Sequence, residues 1–129
     1  MHKKLFRNAI TLLQQLIATP SFSKEEEGVA SIIEDFFEEH GVHTYRKGNN
    51  IWARNKYFDL AKPTVLLNSH HDTVKPNTQY SIDPFSPVQK DEKLFGLGSN
   101  DAGGCLVCLI TVFCHFYEIQ DLKYNVIIA

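Results

Sequence analysis

A chain of 129 residues has room for one domain with a real core, burying roughly 65–70% of its unfolded surface, and not for two. Its 43% hydrophobic and 22% charged residues exclude intrinsic disorder. A net charge of -2 and a pI near 6.3 leave no basic footprint for nucleic acid or an anionic membrane, so small or peptide-like partners are expected.

The chain opens with two amphipathic helices. Leu5, Phe6, Ile10, Leu13, Leu16 and Ile17 recur at helical spacing, with Lys3, Lys4, Arg7 and Gln14 on other faces. Thr19-Pro20 stops this helix, because proline disfavours helical geometry in the residue before it. Arg7, Asn8 and Gln14-Gln15 interrupt what a secretory signal would need as its apolar centre. Ser23-Lys24-Glu25-Glu26 then fits a capping box, Ser23 serving the free N–H groups of a second helix and Glu26 reaching back. Val29, Ile32, Ile33, Phe36 and Phe37 form the buried stripe of that helix, and Gly41 suits the left-handed residue after its end. Glu25, Glu26 and Glu27 read as charges complementing a helix dipole rather than as a metal site.

Residues 42–45 and 51–53 flank Gly48-Asn49-Asn50 and predict a hairpin, with Trp52 in the core. Residues 64–69 follow as a strand. Val65, Leu66 and Leu67 have the continuous apolarity of a strand buried on both faces of a parallel sheet. This run breaks abruptly into His70, His71 and Asp72. In open α/β sheets ligands bind beyond the carboxyl ends of the strands. Side chains two apart on extended backbone share a face, so His70 and Asp72 point one way and His71 the other. A histidine with such a carboxylate can be a metal ligand whose free ring N–H is fixed by its neighbour. It can equally be an exposed polar strand end, and this stretch alone leaves both readings open. Residues 77–87 read as a loop, and residues 88–90 and 93–95 as a second hairpin about Asp91-Glu92.

Gly96-Leu97-Gly98-Ser99-Asn100-Asp101-Ala102-Gly103-Gly104 invites a nucleotide-binding reading, but the place of the third fingerprint glycine holds Asp101, an anion where a pyrophosphate would approach. Locally Asp101 reads as the N-cap of a helix over residues 102–120. Cys105, Cys108 and Cys114 lie on its apolar run. Their odd number and surroundings predict reduced thiols in a cytoplasmic core rather than a Cys-x-x-Cys redox or zinc motif. That run is shorter than the ~20 residues of a membrane-spanning helix. Residues 124–129 form a last buried-type strand, parallel to residues 64–69 across the helix. The fold class is therefore α/β, with no internal repeat.

Two stretches together resemble a known family. Ser69-His70-His71-Asp72-Thr73-Val74 is similar to the His-x-Asp motif, and Leu94-Phe95-Gly96 through Asp101-Ala102-Gly103-Gly104 to the glycine-rich motif, of the zinc-dependent amidohydrolases and exopeptidases that include acetylornithine deacetylase and succinyl-diaminopimelate desuccinylase. The resemblance runs over essentially the whole chain, including Asp83-Pro84-Phe85, and looks closest to acetylornithine deacetylase. Gly103 departs from it, many members carrying lysine there. The resemblance implies residues 1–129 as the N-terminal portion of a three-layer α/β/α catalytic domain with a mixed, largely parallel sheet, the lid and dimerisation domain being absent. It implies His70 as ligand to one zinc, Asp101 as the bridge between two, and Asp72 as the catalytic residue that orients the His70 ring, with a cis peptide after Asp101. Cobalt or manganese could replace zinc. His71 receives no metal role. The parent would be a cytoplasmic homodimer hydrolysing an N-acyl amino acid, best N-acetylornithine in arginine biosynthesis, with a dipeptidase or carboxypeptidase as the alternative. The general base and remaining ligands implied by the family have no counterpart here. The isolated chain is therefore expected to be inactive, and a non-catalytic binding domain is the rival reading.

Overall fold

The computed structural model describes residues 2–129. Helix α1 spans His2–Ala18 and buries Ala9, Leu12, Leu13, Leu16 and Ile17, an i, i+3, i+4, i+7, i+8 stripe that leaves Phe6 outside. Helix α2, Glu27–Glu39, buries Val29, Ala30, Ile33, Phe36 and Phe37 and ends before Gly41, whose φ of +69 is the left-handed geometry expected there.

Strands β1 (Thr44–Lys47) and β2 (Asn50–Arg54) form the predicted antiparallel hairpin. Strand β3 is Thr64–Leu67. A separate hairpin joins β4 (Val88–Lys90) to β5 (Lys93–Phe95) through Asp91 and Glu92, both with positive φ as a tight two-residue turn requires. Helix α3, Gly104–Phe116, leads to β6, Asn125–Ile128. The main sheet has the order β1-β2-β6-β3 and is mixed, β3 and β6 running parallel and the other two pairs antiparallel. One apolar cluster joins all three helices to β2 and β6. Phe37 of α2 meets Phe113 of α3 edge-on in it, with centroids 6.0 Å apart. Each such fully buried ring contributes about 1.5–3 kcal/mol.

Several expectations are corrected. The capping box is absent: α2 starts at Glu27 with no side-chain cap, and Glu26 accepts instead from the Lys24 N–H and Asn49 Nδ2. Trp52 lies between the core residues Ile51 and Ala53, so the period-2 alternation turns it away from them, where it stacks half-buried on Tyr45. Two of the three cysteines are not in the core. Helix α3 is apolar all round, and the face carrying Leu106, Val107, Ile110 and Phe113 inward leaves Cys105 and Cys108 exposed. Only Cys114 is partly buried, its thiol pushed up to about 12 by desolvation.

The strand expected to be buried on both faces is the most open one of the main sheet. Strand β3 pairs only with β6 among the described residues, leaving Val65 44% and Leu66 59% exposed, while the central β6 buries Asn125 and Ile128. An apolar edge with free backbone N–H and C=O groups is a template for pairing with another chain. The chain is therefore expected to self-associate with rising concentration, and Leu66→Lys to shift it toward monomer in sedimentation velocity. Identical sedimentation of the two proteins at every concentration would show that β3 is not the contact.

Candidate metal centre

Beyond β3 the ladder to β6 continues as Ser69 N–H donates to the Ala129 carbonyl (3.2 Å) and Ala129 N–H to the Leu67 carbonyl (2.9 Å). The chain then turns out of the sheet at His70. The next residues are held by the connection between α1 and α2. Thr73 N–H donates to the Ser21 carbonyl at 2.7 Å, Ser21 Oγ donates to the His71 carbonyl at 2.8 Å, and Phe22 bridges Thr73 in parallel register.

His70 stands between two carboxylates. Its Nδ1 lies 3.1 Å from Asp72 Oδ1 and its Nε2 3.2 Å from Asp101 Oδ1. The predicted convergence of His70, Asp72 and Asp101 is thus what the chain builds, although Asp101 is 31 residues from His70. The side chains remain open to solvent, His70 53%, Asp72 39% and Asp101 89% exposed. His71 takes no part in these bonds. It lines, with Lys24, Glu26, Asn49 and Trp52, a cleft of about 520 Å³ at the carboxyl ends of β3 and β6, whose rim includes His70.

Asp101 is not a helix cap. It sits in an irregular turn over Ser99–Gly103 with extended backbone (φ -120, ψ 101), the Asp101–Ala102 peptide is cis as the resemblance implied, and Gly103 directly precedes α3. Extended geometry aims its carboxylate outward toward His70 rather than back along the helix axis. Glycines bring the two motifs together. A Cβ on Gly98 would fall 2.6 Å from Thr73 Cγ2, and one on Gly103 2.6 Å from the Gly98 carbonyl oxygen and 2.7 Å from Leu13 Cδ1. The turn carrying Asp101 is thereby pressed against both the His70–Thr73 segment and α1. This backbone has no room for a side chain at position 103.

Ser23 was missed as a site residue. Its Oγ donates to Asp72 Oδ2 at 2.6 Å, the shortest bond in this network. The local signal is Ser-Phe-Ser after Pro20, which by spacing alone reads as a helix cap.

The charges follow from this wiring. Asp72 is held below its ordinary carboxylate value first by the Ser23 hydroxyl, against some desolvation, and then by the nearby His70 ring. For His70 partial burial is the largest single influence and acts downward, but hydrogen bonds and charge from Asp101 and Asp72 together outweigh it, and the net shift is upward. Burial holds His71 below its usual value, opposed in part by Glu26 and Asp72.

An imidazole nitrogen and a carboxylate oxygen converging on one point, with a second carboxylate on the far ring nitrogen, fit zinc as part of a site. They do not complete one. Among the described residues no cluster of three or more His, Cys, Asp or Glu side chains is placed to hold a metal.

A mixed α/β sheet thus carries this pair of motifs at its open end. Residues 66–129, the segment that carries both motifs, match peptidase family M20/M25/M40. It is 32% identical over 119 residues to the succinyl-diaminopimelate desuccinylase of Nitrosomonas europaea, covering 88% of this chain and 31% of that protein. It is 27% identical over 117 residues to the enzyme of the same name from Delftia acidovorans, covering 83% and 30%. Among solved structures, the M20 family metallo-carboxypeptidase Sso-CP2 from Sulfolobus solfataricus superposes with a TM-score of 0.67 at 22% identity, over 96% of this chain and 29% of that one. The aminoacylhistidine dipeptidase from Vibrio alginolyticus gives 0.64 at 19%, over 94% and 26%. The chain therefore spans under a third of the length of these relatives. The expected closeness to acetylornithine deacetylase finds no support among them.

Two measurements check the geometry. Gly103→Lys should destabilise the chain by about 1–3 kcal/mol, the cost of forcing atoms into a filled site, read as a lower urea midpoint; an unchanged midpoint would mean that the turn packs differently. The second concerns protons. Since the fold raises the His70 value, its contribution to stability is complete below the unfolded-state value and is lost as pH rises through the folded one. A metal needs the neutral ring, so zinc affinity should rise with pH through that same window. Zinc titrations followed by His70 ring resonances should show this slope, and a flat profile would remove His70 from the ligand set.

Proposed function

We propose that this chain supplies His70, Asp72 and Asp101 to a two-metal hydrolase site that cleaves the amide bond of a small N-acyl amino acid or short peptide. The observation that supports this most is the bracketing of one imidazole by two carboxylates, Asp72 at 3.1 Å on Nδ1 and Asp101 at 3.2 Å on Nε2.

His70 Nε2 and Asp101 would hold the metal, zinc by donor chemistry, with cobalt or manganese as substitutes. Bound there, such ions supply an activated water at neutral pH and polarise the scissile carbonyl. The chain's own residues prepare the site. Asp72 accepts the Nδ1–H of His70 and so keeps the Nε2 lone pair directed at the place Asp101 faces. Asp101, almost fully exposed, has a carboxylate free to face a second ion. Two donors fall short of the three or four that a zinc ion takes. The further ligands and the general base belong, in this reading, to parts of the protein outside these 129 residues.

The relatives' names narrow the chemistry. Desuccinylases remove an acyl group from an amine, and dipeptidases and carboxypeptidases cut a peptide bond; both are amide hydrolysis on small substrates. Within that class the N-acetylornithine reading has no advantage over an N-succinyl substrate or a dipeptide. A homodimeric parent, a cytoplasmic location and the absence of nucleic-acid or membrane partners go with this reading, the last supported by the net charge of -2.

A chimera tests it, with this chain replacing the matching 31% of the Nitrosomonas europaea desuccinylase. Zinc-dependent amine release should survive, fall to background in His70→Ala and Asp101→Ala, and drop about 10–100-fold in Asp72→Asn, as loss of a ligand's outer hydrogen-bond partner does. The 129-residue chain alone, given excess zinc, should release no amine from N-succinyl or N-acetyl amino acids or from dipeptides. A correctly folded but inactive chimera would favour the non-catalytic binding domain, and chelator-sensitive turnover by the chain alone would show that the site is already complete.

A further inference from the structure

The loop between α1 and α2 carries no ligand, yet it makes more contacts with the His70–Thr73 segment than a connection requires. Thr73 N–H and Oγ1 both reach the Ser21 carbonyl, at 2.7 and 3.3 Å, and Ser21 Oγ returns a bond to the His71 carbonyl. Ser21 is itself buried. Phe22 packs edge-on against Phe85, with centroids 6.1 Å apart, and so ties the loop to the 77–87 segment as well. The turn that follows is closed by Glu25 N–H to the Phe22 carbonyl and by Lys24 N–H to Glu26 Oε1. Ser23 is thus presented from a fixed backbone, and its hydroxyl ends on Asp72 Oδ2.

A carboxylate bound through one oxygen can still rotate about its Cβ–Cγ bond. Asp72 has Oδ1 on His70 Nδ1 and Oδ2 on Ser23. Fixing the second oxygen fixes the plane of the group, which keeps Oδ1 on the ring and keeps Asp72 from swinging round toward the ligand side. We propose that Ser23 is a positioning residue: through Asp72 it sets the tautomer and orientation of His70, the Ser21–Ser23 segment being the rigid arm that carries it. The proposal rests on the reading of His70 as a metal ligand.

The test uses the 129-residue chain with Ser23→Ala, Ser23→Thr and His70→Ala. In the metal-free protein, at a pH above the raised folded-state value of His70 so that the ring is neutral, ¹⁵N shifts of the His70 ring report the tautomer directly. Ser23→Ala should reduce the Nδ1–H population and weaken zinc binding, followed by resonance titration, about 10-fold, the lower end of the range for outer-sphere partners. Ser23→Thr, which keeps the hydroxyl, should restore both. The urea midpoint should fall only slightly in Ser23→Ala, by the loss of one exposed hydrogen bond, and recover in Ser23→Thr, because Ser23 is exposed and buries nothing. An unchanged tautomer and affinity in Ser23→Ala, with binding lost in His70→Ala, would overturn the role of Ser23 while leaving the metal site standing. Zinc binding undiminished in His70→Ala would instead overturn the metal reading itself, and a tautomer shift in Ser23→Ala would then still establish the positioning of the ring.

Discussion

The site depends on two backbone segments, 31 residues apart at His70 and Asp101, being packed tightly enough for short side chains to meet. An aspartate reaches only a few ångströms from its own backbone, so no adjustment of rotamers could close a gap left by loose packing. The absence of side chains closes it. Gly98 lies where a Cβ would strike Thr73, and Gly103 where one would strike both the Gly98 carbonyl and Leu13 of α1. Small residues in the second motif therefore have a geometric cause: they let the turn bearing Asp101 rest directly on the segment bearing His70, with α1 behind it.

Helix α1 then takes a part that its sequence does not announce. It looks like an ordinary amphipathic helix, but its packing against α3 and its Leu13 contact with Gly103 make it the backstop of the Asp101 turn. Its continuation through Ser21 and Ser23 also reaches the other motif. The first quarter of the chain thus touches both halves of the site. The metal-ligand candidates are presented by a continuous frame of α1, its following loop, the end of β3 and the turn before α3.

Electrostatics and openness point the same way. Two carboxylates on one imidazole shift it toward its charged form in the metal-free chain, the arrangement that a cation taking Nε2 and the Asp101 oxygen would displace. The side chains concerned are between 39% and 89% exposed, so only part of the desolvation that a closed site imposes is met among the described residues. The open edge of β3 shows the same openness in the sheet, with Val65 and Leu66 uncovered among the described residues.

Most of the elements were legible in the sequence because they rest on local rules: the period of α1 and α2, Gly41 ending a helix, both hairpin turns, and the parallel strand pair flanking a helix. The His-x-Asp motif and Asp101 were legible as chemistry, but their meeting was not. A lone aspartate before a helix reads locally as a cap, and only the family resemblance joined it to His70. What tertiary structure alone decided was environment. Apolar runs report that a segment can be buried, not whether neighbours arrive to bury it; so Val65 and Leu66 turned out exposed on an edge and Cys105 and Cys108 faced outward from a helix apolar on every side. Ser23 shows the same limit for polar groups. A serine hydroxyl can cap a helix three residues away or bind a carboxylate 49 residues away at similar strength, and sequence spacing scores only the first, because the second exists only once the chain has brought Asp72 alongside.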